Sequence, residues 1–169
     1  MLSIRTLVPA DNVQVLSLNA SAQPHVALLD GAELERLQSL SQAHLVAEDG
    51  EVIVGYALAF ARGDAYDGEE FVTLSSLIPQ SFVYIDQVVI HDSVKRAGIG
   101  RRLYGALEHA ALLRGAHSLC CEVNTTPPNP DSLAFHGRLD FSPVGSLATR
   151  DGRNVRLLQK RLTVSGSWE

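Results

Sequence analysis

Residues 82–111, FVYIDQVVI-HDSVKRAGIG-RRLYGALEHAA, decide the fold of this chain. The first nine are almost entirely apolar, which predicts a buried strand at 82–90. Gly98 and Gly100 follow in a loop with four basic residues. After the loop, leucines and alanines recur at helical spacing as far as about Gly115. The stretch is therefore predicted to form a strand, a glycine loop and an amphipathic helix, in that order.

This order is typical of a phosphate site. The first N–H groups of a helix have no partner within the helix, and the helix dipole places partial positive charge beside them. Glycine lets the backbone approach a bulky anion closely. The basic residues of the loop add positive charge, and they are Lys95, Arg96, Arg101 and Arg102. The loop is therefore expected to hold a phosphate or pyrophosphate, although a glycine at a helix start can also be purely structural.

Two common phosphate motifs do not match the loop. A P-loop requires the pattern G-x-x-x-x-G-K-[ST], and KRAGIGRR has neither that spacing nor the Lys-Ser/Thr pair. A dinucleotide fingerprint requires a third glycine, but Leu103 stands at the corresponding position, and no acidic residue ends the next strand in the usual place. The loop belongs to neither class.

The elements on both sides of this stretch indicate one mixed α/β domain over residues 1–169. Residues 2–8 alternate as a first strand, and an Asp-Gly turn at 49–50 predicts a hairpin over 43–62. Residues 63–80 have weak periodicity and are predicted to be a long irregular segment. Further strands are expected at 117–123, 141–149 and 154–162. Helices are expected at 10–20, 31–41 and 129–139, the last capped by Asn129.

Composition narrows the class of protein. The net charge of −5 disfavours a nucleic-acid-binding protein, and the chain has no apolar run long enough to span a membrane. We see no signal-peptide pattern at the N-terminus. Cys120 and Cys121 are adjacent on a predicted strand, so they point to opposite faces and do not suit a disulfide. A cytoplasmic location, no membrane or nucleic-acid partner and no metal are expected.

Residues 88–111 resemble the acetyl-coenzyme A motif of the GCN5-related N-acetyltransferases (GNAT). The motif is Arg or Gln, two residues, Gly, any residue, then Gly or Ala, and the chain has KRAGIG at 95–100. Lys95 replaces the usual Arg or Gln. A second stretch, NPDSLAFHGRLDF at 129–141, resembles the late motif of the family, with His136 in place of the usual Tyr and Asp140 in place of the usual Gly. The signatures CEVN, PPNP and FH look most like a bacterial branch.

The resemblance implies the GNAT fold, a mixed and mostly antiparallel sheet of about six or seven strands with about four flanking helices. It also implies acetyl-coenzyme A as cofactor. In this family the strand before the loop splays from the strand after the helix, and the pantetheine arm lies in the gap. The thioester carbonyl would be polarised by a backbone amide near Val89 or Ile90. The residues implied to contact the cofactor are Val88, Val89, Ile90, Lys95, Arg96, Ala97, Gly98, Ile99, Gly100, Arg101, Asn124, Asn129 and Phe135.

Two carboxylates on apolar strands are candidate bases, because burial raises the pKa of a carboxylate towards the value a base needs. Strand alternation places Tyr84, Asp86, Val88 and Ile90 on one face of their strand, and Cys120, Glu122 and Asn124 on one face of the next. Glu122 is the first choice, since it matches the proposed base of ribosomal-protein alanine acetyltransferases. Asp86 could act instead, directly or through water. Each could also be a structural carboxylate bonded to its neighbours.

His136 stands where a family tyrosine often protonates the departing sulfur, and an imidazole could do the same. Alternatively, it only packs in its helix or bonds the cofactor. Tyr84 is the rival acid, although a tyrosine on a strand is often a core residue. The cysteines are not expected to be nucleophiles. The first helical region, with Asn19 and His25, is where the family builds its acceptor pocket.

These residues predict transfer of an acetyl group to a primary amine by direct attack in a ternary complex. The acidic segment GDAYDGEEF, 63–71, could attract a cationic amine or be a solvated loop. A different class also stays open, a non-catalytic acyl-coenzyme A sensor, because His136 and Asp140 depart from the motif. A nucleotide-binding enzyme that uses the same loop is a further alternative. The acceptor, a small molecule or a peptide amine, is not named by the sequence, and a homodimer is common among such folds.

Overall fold

A computed structural model describes residues Met1–Thr163, which form seven strands and five helices. The strands are β1 (Leu2–Thr6), β2 (Leu45–Asp49), β3 (Val52–Ala61), β4 (Phe82–Ile90), β5 (Ser118–Thr126), β6 (Ser142–Ala148) and β7 (Asn154–Arg161). The helices are α1 (Asn12–Ser21), α2 (Gly31–Leu40), α3 (Glu69–Leu77), α4 (Ile99–Leu113) and α5 (Pro130–Arg138). Single 3-10 turns at Pro9–Asp11 and Asp92–Val94 precede α1 and α4.

The strands form one sheet in the order β1-β2-β3-β4-β5-β7-β6. Every neighbouring pair is antiparallel except β4 and β5, which are parallel. A parallel pair requires a crossover connection, and α4 supplies it. The mixed, mostly antiparallel sheet expected from the sequence is confirmed.

Helices cover both faces of the sheet. On the first face, α1, α2 and α3 bury Leu18, Leu34 and Leu74 against Phe60 and Tyr84. The helices on the second face, α4 and α5, pack a separate set of apolar side chains, among them Leu103, Leu107 and Tyr104 of α4, against the other side of the same strands. The sheet is thus buried on both sides along β3, β4 and β5, which is why these strands are nearly continuous apolar runs.

The segment 63–80 is the one place where the predicted elements were wrong. It contains the helix α3, with Phe71 and Leu74 buried in the first core. Only these two of its nine residues are buried, and two serines and two β-branched residues sit among them, so the apolar period in the sequence is weak. Glu69 and Glu70 lie in the first turn, where carboxylates interact favourably with the helix dipole.

A bulge in β4 changes which side chains share a face. Leu58 pairs with Gln87 and the next residue of β3 pairs with Ile85, so Asp86 is an extra residue with no partner across the pair. Tyr84 consequently lies in the core of the first face, whereas Val88 and Ile90 pack on the second. The expectation that Tyr84, Asp86, Val88 and Ile90 share one face is therefore wrong, because strict alternation does not survive the extra residue.

Leu103 tests the packing between α4 and the sheet. Its side chain is fully buried in the second core, so Leu103→Ala should lower the free energy of unfolding by about 2–5 kcal/mol in urea denaturation. Leu113→Ala on the same helix is the matched control, because Leu113 is 76% exposed and its loss should change stability by less than about 0.5 kcal/mol. Equal effects of the two substitutions would contradict the packing described.

Candidate active site

The two parallel strands part soon after they begin. β4 and β5 pair only between Phe82–Tyr84 and Ser118–Cys120, and the later residues of β5 pair with β7 on the other side. Within the described chain, the second half of β4 therefore faces a gap instead of a neighbouring strand. The expected splay between the strand before the glycine loop and the strand after α4 is present in the structure.

The backbone of β4 presents hydrogen-bonding groups to this gap. His91 N–H donates to Val54 O on β3 at 2.8 Å, and ladder bonds alternate along a strand, so Val89 also turns its amide towards β3. Val88 and Ile90 turn their N–H and C=O groups to the gap instead. Of the two amides first considered for polarising a carbonyl, only that of Ile90 faces the open side, and the Val89 side chain is buried in the first core.

The glycine loop ends in an anion-binding geometry. Gly98 caps α4 in the left-handed conformation (φ 79°, ψ 11°), and Ile99 continues as helix. The first main-chain bond of α4 runs from Arg102 N–H to Gly98 O, which leaves the N–H groups of Ile99, Gly100 and Arg101 without a main-chain partner among Met1–Thr163. Neighbouring N–H groups in such a turn form a concave nest for an anion.

Three cations of the loop line a cavity that extends from the loop along the gap between β4 and β5. Not all of the residues predicted to contact the cofactor line it. Lys95, Arg96 and Arg101 are lining residues, and Lys95 Nζ lies 2.6 Å from Asp92 Oδ1. Arg96 has a positive φ of 69°, which a non-glycine residue rarely adopts. Ala97 does not line the cavity and donates its N–H to Val94 O.

Helix α5 lines this cavity beside the start of α4. Asn129 Oδ1 accepts the N–H of Ser132 at 3.2 Å and so caps the helix, as the sequence predicted. Phe135 lies close to Gly100, where a Cβ atom would be 3.6 Å from the ring. The short distance brings the start of α4 against α5, and Asn129 and Phe135 both line the cavity.

Two cavities meet at the gap between β4 and β5. The larger has a volume of about 610 Å³ and runs from the glycine loop past Val88 and Ile90. The smaller, about 350 Å³, lies beyond it under the segment that precedes α2. Asp86, Glu122, Asn124 and Arg153 line both. The structure therefore brings the two candidate bases together at the junction of the two cavities.

Asp86 is held by two phenols. Its Oδ1 accepts the hydroxyl of Tyr66 at 3.0 Å and that of Tyr84 at 3.3 Å. Burial raises the pKa of Asp86 to about 6, although the two phenols counteract this by stabilising the ionised form. The neighbouring residue Gln87 points to the same face and accepts from the Tyr56 hydroxyl at 2.8 Å, an arrangement that the bulge makes possible.

Glu122 is the more perturbed carboxyl. Burial raises its pKa well above the usual value, and the charges of Asp86 and Glu70 raise it further. Its Oε2 is buried and has no hydrogen-bond partner among residues 1–163. An oxygen of this kind is a rare and costly feature in a folded protein unless a ligand meets it. Cys120 lies in the first core, on the face of β5 that it was predicted to share with Glu122.

His136 is engaged at both ring nitrogens. Nδ1 lies 2.7 Å from Ser132 O, which can only accept, so Nδ1 carries the hydrogen. Nε2 then accepts the hydroxyl of Tyr104 at 2.7 Å, and burial lowers the pKa of His136, which favours the neutral ring. The ring joins α5 to α4 inside a set of edge-to-face aromatic contacts with Tyr104, Phe135 and Phe141.

Tyr84 lies beneath the site. It is fully buried, its ring belongs to the first core, and it lines neither cavity. Burial, followed by the charges of Glu122 and Asp86, raises its pKa well above the usual value.

The two residues named for the first helical region lie in different places. Asn19 is buried and bonds Tyr56, Gln87 and two main-chain groups. His25 lines both cavities.

Several lining residues were missed from the sequence. Tyr66 and Glu70 come from the acidic segment 63–71, with Tyr66 before α3 and Glu70 in its first turn, and Arg153 follows a turn between β6 and β7. Tyr104 lies in α4 and bonds His136. The acidic composition of the segment suggested that it could attract a cationic amine, and this was the only sign in the sequence that Tyr66 and Glu70 lie near the site. The sequence carried no comparable signal for Arg153, because two of its partners, Asn124 and Glu70, are 29 and 83 residues away.

Comparisons with known proteins agree with this geometry. The family model for the acetyltransferase (GNAT) family matches residues 14–141. Ard1 from Thermoplasma volcanium superposes with a TM-score of 0.77 at 16% identity, over 96% of this chain and 99% of that protein. The ribosomal-protein-alanine N-acetyltransferase from Brucella melitensis gives 0.71 at 23% identity, over 95% and 99%.

A third structure carries a ligand. YncA, a putative acetyltransferase from Salmonella typhimurium with its cofactor acetyl-CoA, superposes with a TM-score of 0.69 at 21% identity, over 100% of this chain and 98% of that one. At these identities the likenesses establish the fold. No curated protein sequence matches the chain significantly.

No helix within Met1–Thr163 has the length and apolar character that a membrane crossing requires.

The raised pKa of Asp86 predicts a pH-dependent stability. Between pH 3.8 and about 6 the folded protein keeps a proton on Asp86 that the unfolded chain has lost, so this residue destabilises the fold progressively as the pH rises through that interval. The free energy of unfolding of the wild type should therefore fall relative to that of Asp86→Asn over this range. Urea denaturation at a series of pH values measures the difference.

Asp67→Asn is the control for this experiment, because the Asp67 side chain is 80% exposed. Its difference from the wild type should stay nearly constant over the same pH range. A difference between wild type and Asp86→Asn that is flat, or that increases with pH, would contradict burial of the Asp86 charge.

Proposed function

The chain belongs to the acetyltransferase (GNAT) family, and on that basis we propose that it transfers the acetyl group of acetyl-coenzyme A to a primary amine by direct attack, with both substrates bound together. The acetyl transfer and the cofactor follow from the family. The amine acceptor and the direct attack are supported by one observation above all: two cavities meet at a pair of half-buried carboxyl groups. A cofactor and an acceptor entering from opposite ends would meet there.

The residues of the larger cavity fit acetyl-coenzyme A. The free N–H groups of Ile99, Gly100 and Arg101, with Lys95 and Arg96 beside them, suit a pyrophosphate. The unpaired backbone of Val88 and Ile90 suits the amides of a pantetheine arm. When bound, the cofactor supplies an activated acetyl thioester. The Ile90 amide is the strand donor best oriented to polarise its carbonyl.

Glu122 is the proposed base that touches the amine. A base needs a pKa near the working pH, and burial beside Asp86 raises the pKa of Glu122 from that of an ordinary carboxyl. Its Oε2 has no hydrogen bond to surrender, whereas Asp86 Oδ1 already accepts from Tyr66 and Tyr84. Asp86 is therefore proposed as the second carboxylate of the pair, whose negative charge strengthens the attraction of Glu122 for a proton.

His136 is proposed to position helix α5, and not to donate a proton. The hydrogen on Nδ1 is held by Ser132 O, and Nε2 is already an acceptor for Tyr104. A neutral ring bonded in this way has no hydrogen free for a departing sulfur. Tyr84 is no better placed, because it lines neither cavity. Asn124 and Asn129 are proposed as positioning groups, since each side-chain oxygen accepts a hydrogen bond from a neighbouring residue.

Ligand specificity tests the cofactor site. A ligand that binds the native state raises the melting temperature by mass action. Acetyl-coenzyme A and coenzyme A should raise it, whereas ATP and NAD at the same concentration should not. A rise with ATP or NAD instead would overturn the assignment of the glycine loop.

Glu122→Gln tests the base. The substitution keeps the size of the side chain but removes its ability to take a proton, so kcat/KM for an accepted amine should fall by about a hundredfold. The thermal shift with acetyl-coenzyme A should be preserved. Glu35→Gln, at an exposed position of α2, is the matched control and should leave both properties unchanged. Binding of acetyl-coenzyme A without acetylation of any amine by the wild type would favour the sensor alternative.

A further inference from the structure

The smaller of the two cavities carries more negative charge than acetyl transfer to an amine requires. We call it the acidic cavity and define it by Tyr66, Glu70, Asp86, Glu122, Asp151 and Arg153. We propose that it binds a short aliphatic diamine, with one nitrogen at Asp86 and Glu122 and the other, still protonated, towards Glu70 and Asp151. This proposal rests on the proposed function, since it names the class of acceptor for the same site.

Arg153 does not neutralise the acidic cavity. It is the one lysine or arginine among the described lining residues, against four carboxyl groups. Its Nε lies 2.9 Å from Asp151 Oδ2, its Nη2 donates to Glu70 at 3.2 Å, and its Nη1 donates to Asn124 at 3.0 Å. One guanidinium is thus shared between two carboxylates, and Asp86 and Glu122 have no cationic partner in the described chain.

The unpartnered Glu122 oxygen is a second and independent sign of a ligand. Glu122 lines the acidic cavity, and its buried Oε2 receives no hydrogen bond from residues 1–163. An ammonium nitrogen has only donors to offer, and a neutral amine keeps N–H donors beside its lone pair, so either form would satisfy this oxygen. A ligand with a carboxylate in the same place would add a further negative charge and leave the oxygen unpaired.

The chemistry of transfer explains why one positive charge is not enough. The reacting nitrogen must be neutral when its lone pair forms the N–C bond and the C–S bond of the thioester breaks. The ammonium form first gives one proton to the carboxyl pair. The nitrogen gives up a second proton as the N–C bond forms, and the departing thiolate takes up this proton to give coenzyme A. A monoamine therefore brings no positive charge at the moment of reaction. A diamine keeps one ammonium group to offset Glu70 and Asp151.

The walls of the acidic cavity suit methylene groups between the two nitrogens. Pro24 and Val26 line it on one side, and Tyr66 lines it on the other. The Tyr66 ring is fixed, because it stacks on Phe60 at 3.9 Å with planes 4° apart and donates its hydroxyl to Asp86. An α-amino acid would also need a cation for its carboxylate, but Arg153 already binds Asp151 and Glu70.

The test compares amines of equal length that differ in the second nitrogen. With purified full-length protein and acetyl-coenzyme A, kcat/KM should be at least about tenfold higher for putrescine than for n-butylamine, the effect of one charge-assisted hydrogen bond. Glu70→Gln should lower the value for putrescine relative to that for n-butylamine by about tenfold. The ratio of the two amines within one variant cancels any effect of Glu70 on the carboxyl pair.

Asp67→Asn is the matched control for Glu70→Gln. It removes one negative charge from the same segment but outside the cavity, and it should preserve the preference for putrescine. Equal rates for the two amines, or preferential acetylation of a short peptide with a free N-terminus, would overturn the diamine proposal while leaving acetyl transfer intact.

A binding measurement separates the two proposals if no transfer is detected. Calorimetric titration of putrescine into the coenzyme A complex should show saturable binding that Glu70→Gln weakens about tenfold. Binding without transfer would overturn the proposed function and support the diamine site. Absence of putrescine binding would overturn the diamine site.

Discussion

The parting of β4 and β5 is the constraint on which the whole site depends. Two neighbouring strands in a sheet normally satisfy each other's backbone groups, and here they do so for only three residue pairs. The later part of β4 stays bonded to β3, and the later part of β5 stays bonded to β7. Each strand therefore keeps a hydrogen-bonded neighbour on its other edge. The gap between the two strands passes through the sheet from one face to the other.

The bulge at Asp86 determines what faces this gap. An extra residue lets Asp86 and Gln87 both point to the first face, although they are consecutive in the strand. Gln87 joins the buried network with Tyr56 and Asn19, which holds the segment before α2 in place through Ala27 O. Asp86 is left free to face Glu122 across the gap. The acidic pair thus depends on a local irregularity of the backbone.

The carboxyl groups of Asp86 and Glu122 lie close together and largely out of contact with water. Their proximity opposes folding, because the charge of each makes the other harder to ionise. The protein accommodates them with the phenols of Tyr66 and Tyr84 and with nearby Arg153, but it leaves one oxygen of Glu122 without a partner. Instability of this kind at a cavity is typical of a functional site. His136 shows the opposite case, a histidine whose two nitrogens are both satisfied by the fold, through bonds to Tyr104 of α4 and Ser132 of α5.

The sequence by itself determined the order of strand, glycine loop and helix, and hence the family and the cofactor; most of the residues proposed to contact the cofactor line the larger cavity. These features are local, since Gly98, Gly100 and the helix that follows act on one another within a few residues. It also pointed to Asp86 and Glu122, because a carboxylate in an apolar strand is conspicuous. It missed helix α3, whose apolar period is short and interrupted by serines.

Only the tertiary structure decided which groups face one another. The bulge reverses the faces of Val88 and Ile90, and nothing in their own residue types signals it. Arg153, Glu70 and Asn124 meet from segments far apart in the chain, so the Arg153–Glu70 ion pair and the Arg153–Asn124 hydrogen bond exist only once the sheet has assembled. The bonding of His136 to Tyr104 likewise requires two packed helices. Contacts between distant segments depend on packing geometry, and a one-dimensional pattern does not contain it.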